Sequence, residues 1–184
     1  RWPRSSRITS VGAAGTAGIG AANTTLIHDD VVKAYVGNNA TVISRGFLGL
    51  SVTADSSEDI IAIAAAGGAA GTAAIAGTAA VTILDEETTA YIGRSADITA
   101  NNGASLGATG IAVRATDDTT IISVAGSLAA AGTAAVGLGA DVGVIDKDTT
   151  AYIDSGVTAY AEGNITVIAD NSEDITSVAA GVSV

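Results

Sequence analysis

The chain has a single histidine, His28, followed directly by Asp29 and Asp30. An imidazole beside carboxylates is the arrangement that activates a serine nucleophile, so a Ser-His-Asp site has to be weighed first. The corresponding places later in the chain hold Asp85 and Asp146 with no imidazole. An activity would therefore be confined to one irregular turn. The sequence predicts that His28 is a solvated turn residue, that no residue is catalytic and that the chain is not an enzyme.

Acidic clusters recur at Asp29-Asp30, Asp85-Glu86-Glu87 and Asp146-Lys147-Asp148. Carboxylate oxygens suit hard cations such as calcium, which could bridge clusters stacked along one edge. The Gly-Gly-x-Gly-x-Asp nonapeptide of calcium-binding β-rolls is missing, however, and Lys147 balances charge without a metal. Plain solvated turns are expected, with no metal and no cofactor. The threonine pairs Thr88-Thr89, Thr119-Thr120 and Thr149-Thr150 lack the regular Thr-x-Thr array of an ice-binding face, and hydroxyl ladders are the simpler reading. Tyr35, Tyr91 and Tyr152 occur once per unit and could stack on one another or face a carbohydrate. Asn23, Asn39 and Asn164 stand in Asn-x-Thr triplets that would permit surface glycans. A carbohydrate-cleaving groove needs clustered charges, and Arg45, Arg94 and Arg114 gather with acids in no repeated register.

Composition narrows the classes further. Cysteine is absent, which excludes disulfides, zinc thiolates, haem attachment and thiol catalysis. Eight basic residues face nineteen acidic ones, and Arg1, Arg4 and Arg7 lie in an atypical basic segment, residues 1–7, with Trp2 and Pro3. A surface this acidic repels nucleic acid and keeps a long assembly soluble. With one Trp, one Phe and four Tyr, the core must be built from Ala, Val and Ile. Stability then depends on dense backbone pairing and close approach of sheets.

The elements that carry these residues repeat. Ile8-Thr-Ser-Val11, Ile60-Ile-Ala-Ile63, Ile121-Ile-Ser-Val124 and Ile175-Thr-Ser-Val178 open successive units, spaced 52, 61 and 54 residues apart. Gly-Thr-Ala follows at Gly15, Gly71 and Gly132, and the tyrosines come after the acidic clusters. Leu50-x-Val52-x-Ala54, Ile111-x-Val113-x-Ala115 and Ile165-x-Val167-x-Ala169 alternate with a period of two, the pattern of half-buried strands. Each unit offers about six short strand candidates, in the middle copy Ile60–Ala64, Ala73–Ala76, Val81–Leu84, Thr89–Ile92, Ile98–Ala100 and Ile111–Ala115, separated by turn-forming residues. Length varies in the Gly/Ala run and around Asn101-Asn102-Gly103.

These patterns predict an all-β fold, a parallel β-helix (β-solenoid) over residues 8–184, with repeats starting near 8, 60, 121 and 175, the last incomplete. Three coils of about nineteen residues per repeat, each rising about 4.8 Å, would give a rod on the order of 45 Å long, with two coils of about twenty-eight residues as the alternative. The competing reading takes Ile60 to Leu84 as a bilayer-crossing helix, since it is uncharged. Its glycines and threonines, and the lack of a Trp or basic belt, argue against that, so no membrane span is expected. No initiator Met or signal peptide is visible, which suggests a mature fragment.

Quoted from the middle copy, the unit reads Gly71-Thr-Ala, Leu84-Asp-Glu-Glu-Thr-Thr-Ala-Tyr-Ile-Gly93 and Ile111-Ala-Val-Arg-Ala115. This resembles the repeats of large filamentous haemagglutinin-like and leukotoxin-type filamentous adhesins, over nearly the whole chain after Ile8. The resemblance implies a right-handed parallel β-helix on a bacterial cell surface, serving as a structural shaft. It also implies a homopolymer, or continuation of a longer chain by head-to-tail stacking, with host-cell or matrix glycans as possible ligands. No secretion domain or adhesive tip is present, so only the shaft carries over.

Overall fold

A computed structural model describes residues 4–45, 49–100 and 109–184. Among them every regular element is a β-strand: β1 (Arg4–Ala14), β2 (Ala17–Val36), β3 (Thr41–Ser44), β4 (Leu50–Ala70), β5 (Ala73–Ile92), β6 (Asp97–Ala100), β7 (Thr109–Ala131), β8 (Ala134–Ile153), β9 (Thr158–Ala161) and β10 (Asn164–Ser183). No helix among the described residues is long and apolar enough to cross a membrane, and Ile60 to Leu84 spans two strands rather than one helix.

The strands form three parallel sheets, ordered β1-β4-β7-β10, β2-β5-β8 and β3-β6-β9. Each repeat thus gives one strand to each sheet, in a solenoid-like stack. The register follows the repeat residue for residue: Ile60 pairs with Ile121 and Ile121 with Ile175, while Tyr35, Tyr91 and Tyr152 fall in one column.

Two expectations are corrected by this register. One repeat makes one circuit of the three sheets, not three coils of about nineteen residues, because most of the supposed breaks are not turns. Gly77, Asp85 and Glu86 lie inside β5, where the candidates Ala73–Ala76, Val81–Leu84 and Thr89–Ile92 merge; Ile60–Ala64 and Ile111–Ala115 are parts of the longer β4 and β7, and Ile98–Ala100 stands by itself in β6. The chain leaves the ladder at Gly71-Thr72 and again at Gly93–Ala96. The walls are consequently about 65 Å long across the coil, and the stack is only three or four rungs, about 15 Å, along its axis. In addition, Arg4 rather than Ile8 pairs with Ile60, and Ile8 pairs with Ala64. With Arg4 as the opening, the first Gly/Ala run is as long as the later ones, since Gly15 follows Arg4 at the same distance as Gly71 follows Ile60. The insertion around Asn101-Asn102-Gly103 lies outside the described residues.

The two long sheets face each other, and their separation follows the side chains between them. Near the Gly-Thr turn the backbones almost touch. A Cβ at Gly68 would sit 2.6 Å from the Ile75 carbonyl oxygen, and one at Gly20 would collide with the carbonyl of Gly67. Ala64, Ala80 and Ala125 fill the next stretch, followed by Ile60, Leu84 and Ile121. At the far end the short third sheet closes a wider core of Val52, Ile92, Ile98, Ile111 and Val113 among alanines. Graded side-chain volume therefore makes a wedge, thin where glycine permits contact and broad where isoleucine requires room.

Candidate functional site

Strict alternation carries some of the charged residues inward. In β4 the buried set runs from Val52 through Ser56 and Glu58 to Ile60, and in β5 it runs from Leu84 through Glu86 and Thr88 to Ala90. A continuous strand sends residues of one parity to one face. Glu58, Glu86 and Lys147 thus enter the space between the walls, as does His28. The expectation of solvated acidic turns fails here for the same reason as the coil count: these clusters are mid-strand, with only alternate members exposed.

The central group is a buried ion network. The Lys147 ammonium lies 2.7 Å from Asp117 Oδ1 and 3.5 Å from Glu86 Oε2, with both carboxylates almost fully buried. Lys147 also donates to the Thr119 hydroxyl at 2.7 Å. Thr119 in turn donates to Glu86 Oε2 at 3.1 Å, and Thr88 donates to Asp117 Oδ2 at 3.3 Å. Burial raises the pKa of Glu86 above its ordinary value, the neighbouring Asp117 charge adds to this, and Lys147 opposes both. A little further along, Asp141 bridges the walls by accepting from Ser123 at 2.7 Å and from Ser177.

His28 belongs to the same layer, on β2, the strand that neighbours β5 in its sheet. It is 3% exposed, and its Nε2 lies 3.4 Å from Glu58 Oε2, which is equally enclosed. A solvated-turn histidine is thereby excluded. His28, Asp30 and Glu58 each place one potential ligand atom within 4.8 Å of the others.

The outer faces hold the remaining sequence candidates. Tyr35, Tyr91 and Tyr152 stack with ring centroids 5.2 and 5.0 Å apart and planes within 10° and 3° of parallel. Asp29, Asp85 and Asp146 form an exposed column. Beside it Lys33 reaches diagonally to Glu87 at 2.7 Å, a hydrogen-bonded pair that raises the lysine pKa. Within the threonine pairs alternate members point inward, and Thr88 and Thr119 join the buried network. Asn23 is exposed on β2, Asn39 adopts a positive φ of 56° in the turn after it, and Asn164 opens β10. Arg114 stands on the outer face of β7, 3.9 Å from Asp170, whereas Arg94 occupies the turn after β5 and Arg45 follows β3. The structure does not draw these three arginines into one groove.

The residues missed by sequence reading are Glu58, Glu86, Asp117, Thr119 and Lys147 as an interior network. Their parity relative to Val52, Ala54 and Leu84 carried the signal, once the strands were allowed to run through the charged residues. No protein-family model matches this chain, and neither a curated protein nor a solved structure matches it.

Proposed function

We propose that this chain is a segment of a structural shaft, from an extracellular bacterial filament or surface adhesin, and that it has no catalytic role. The observation carrying this reading is the unbroken register of three repeats over walls of about twenty residues, from the Gly-Thr turn to the tyrosine column. Such stacking gives stiffness through backbone ladders and needs few large side chains. We take the winding as right-handed, the sense that parallel crossover connections overwhelmingly adopt. The resemblance of the repeats to filamentous haemagglutinin-like adhesins supports the surface location and bacterial origin.

In this reading the partner at each end is another coil of the same kind, from a second copy or from further chain. The long outermost strand β10 offers its open edge for such addition. Nucleic acid is not a partner, because the net charge of −11 opposes phosphate. The test is sedimentation of the purified chain combined with negative-stain electron microscopy. Elongated species that lengthen with concentration support the shaft. Monomers at every concentration, with no further repeats in the parent gene, contradict it.

A second reading, a glycan-binding surface, is favoured by one specific observation: the tyrosine column is open to solvent, with Tyr35 61% exposed and Tyr152 38% exposed. Flat aromatic strips suit sugar faces. Binding on a glycan array that is lost in Tyr35→Ala and Tyr152→Ala would support it, and an empty array would leave the shaft as the sole role.

A further inference from the structure

In the thin half of the wedge the usual placement of side chains is inverted. Along β5 the almost fully enclosed inward residues are Ala74, Ala76 and Ala80, while the larger Ile75, Val81 and Ile83 face out. The neighbouring strands repeat this, so that Ile19, Ile75 and Val136 form one outer column and Ile27, Ile83 and Val144 another. Ile19 is 72% exposed, Ile27 67%, Leu138 61% and Val144 53%. Over residues 17–27, 73–83 and 134–144 no outward position carries a charge. Asn23 and Thr25 of β2, hydrogen-bonded to each other at 3.2 Å, are its polar members. Single exposed aliphatic residues are ordinary, but a continuous face of them marks a contact surface.

We propose that this outer face of the β2-β5-β8 sheet packs against the same face of a second copy, with the strands of the two copies antiparallel. Charge selects both occupant and direction. The acidic column Asp29, Asp85 and Asp146 borders the face at one end only, and the net charge is −11, so copies approach closely where uncharged face meets uncharged face. With strands running the same way, the two acidic columns would oppose each other across the joint. Reversing one copy overlays the apolar stretches and sets each column beside the partner's uncharged Gly-Thr turn, a two-fold, self-complementary contact. The other wall suits this less, because Arg7, Thr9 and Thr176 interrupt its outer aliphatic residues. About eleven residues at 3.3 Å across three strands at 4.8 Å give roughly 500 Å² per copy, short of the roughly 800 Å² per partner of a standard stable interface. One chain therefore pairs weakly, and each rung added end to end contributes about 170 Å² more. That length dependence rests on the shaft reading; the pairing itself does not.

Sedimentation velocity and small-angle X-ray scattering of the purified chain over a concentration series separate thickening from lengthening. The expected species is two wedges thick. Ile75→Asp should weaken this pairing at least about tenfold, since the joint would bury an unpaired charge. Leu128→Asp, as exposed on the opposite wall at 51% against 49%, should leave it unchanged. The proposal is overturned by a single thickness at every concentration, by unaltered pairing in Ile75→Asp, or by equal loss in Leu128→Asp. Flotation with phosphatidylcholine vesicles, lost in Ile75→Asp, by a chain that never pairs in solution would assign the face to a bilayer and also overturns it. An intermolecular disulfide through Ile83→Cys would mean overlaid acidic columns and overturns the antiparallel order. Lengthening without thickening keeps the shaft and removes the pairing; thickening without lengthening does the reverse. Circular dichroism reports folding, and if Ile75→Asp does not fold, Ile75→Thr, which a strand accepts, provides the same contrast.

Discussion

At the scale of single residues, the sharpest consequences belong to the buried ions. Asp117 is fully enclosed and depends on Lys147 for its counter-charge. Lys147→Ala leaves that carboxylate uncompensated, and breaking a buried pair from one side typically costs about 3–5 kcal/mol. Urea unfolding should record a loss of that order. Glu86 behaves differently. Its folded-state pKa is raised by burial and by Asp117, so the stability it contributes is present below its ordinary value of 4.5 and is lost as pH rises through the folded value. Glu86→Gln, which mimics the protonated acid, should therefore melt higher than the unsubstituted chain at neutral pH. The gap should close as pH falls below 4.5. A gap that widens on acidification would mean that the ionised form is the stabilised one. Sequence reading placed Glu86 and Lys147 in solvated turns, because acidic clusters commonly mark turns and Asp, Glu and Lys are rarely buried, and it recognised the balancing charge of Lys147 without its location.

At the scale of the elements, glycine decides how closely chain segments stack. A Cβ at Gly71 would lie 2.5 Å from the Gly15 carbonyl oxygen, and one at Gly132 would meet Gly71 in the same way. Gly77, inside β5, has nothing within 4 Å of a Cβ. Gly71→Ala should accordingly cost about 1–3 kcal/mol through overpacking. Gly77→Ala should be neutral or stabilising by about 0.5–1 kcal/mol, as expected for alanine replacing glycine in a strand. Thermal melts of the two variants make the comparison. The Gly-Thr-Ala turn was legible in the sequence, as were the alternation in Leu50-x-Val52-x-Ala54 and the tyrosine column. Strand length was not legible, because the same glycines and aspartates that mark turns elsewhere here sit within walls. The tight spacing that admits glycine and the inward polar layer that uses acids both depend on the opposite wall, which no local window contains.

At the scale of the whole molecule, the decisive property is that sequence repeat and structural rung coincide. The all-β class and the parallel stacking of repeats followed from periodicity, whereas the number of circuits depended on deciding which breaks were real. Since the chain lacks cysteine, paired cysteines test this without interference. Ile27 and Ile83 are register partners on the outer face of one wall, and neighbouring parallel strands bring Cα atoms within the span a disulfide can bridge. Ile63 and Ile83 are twenty residues apart and would stack in a three-coil repeat, but here they belong to opposite walls with outward parity. Mild oxidation of the two double variants, read by non-reducing electrophoresis and mass spectrometry, should close an intramolecular disulfide in Ile27→Cys/Ile83→Cys and none in Ile63→Cys/Ile83→Cys. Closure of the second pair without the first would contradict the one-repeat, one-rung architecture on which the shaft rests.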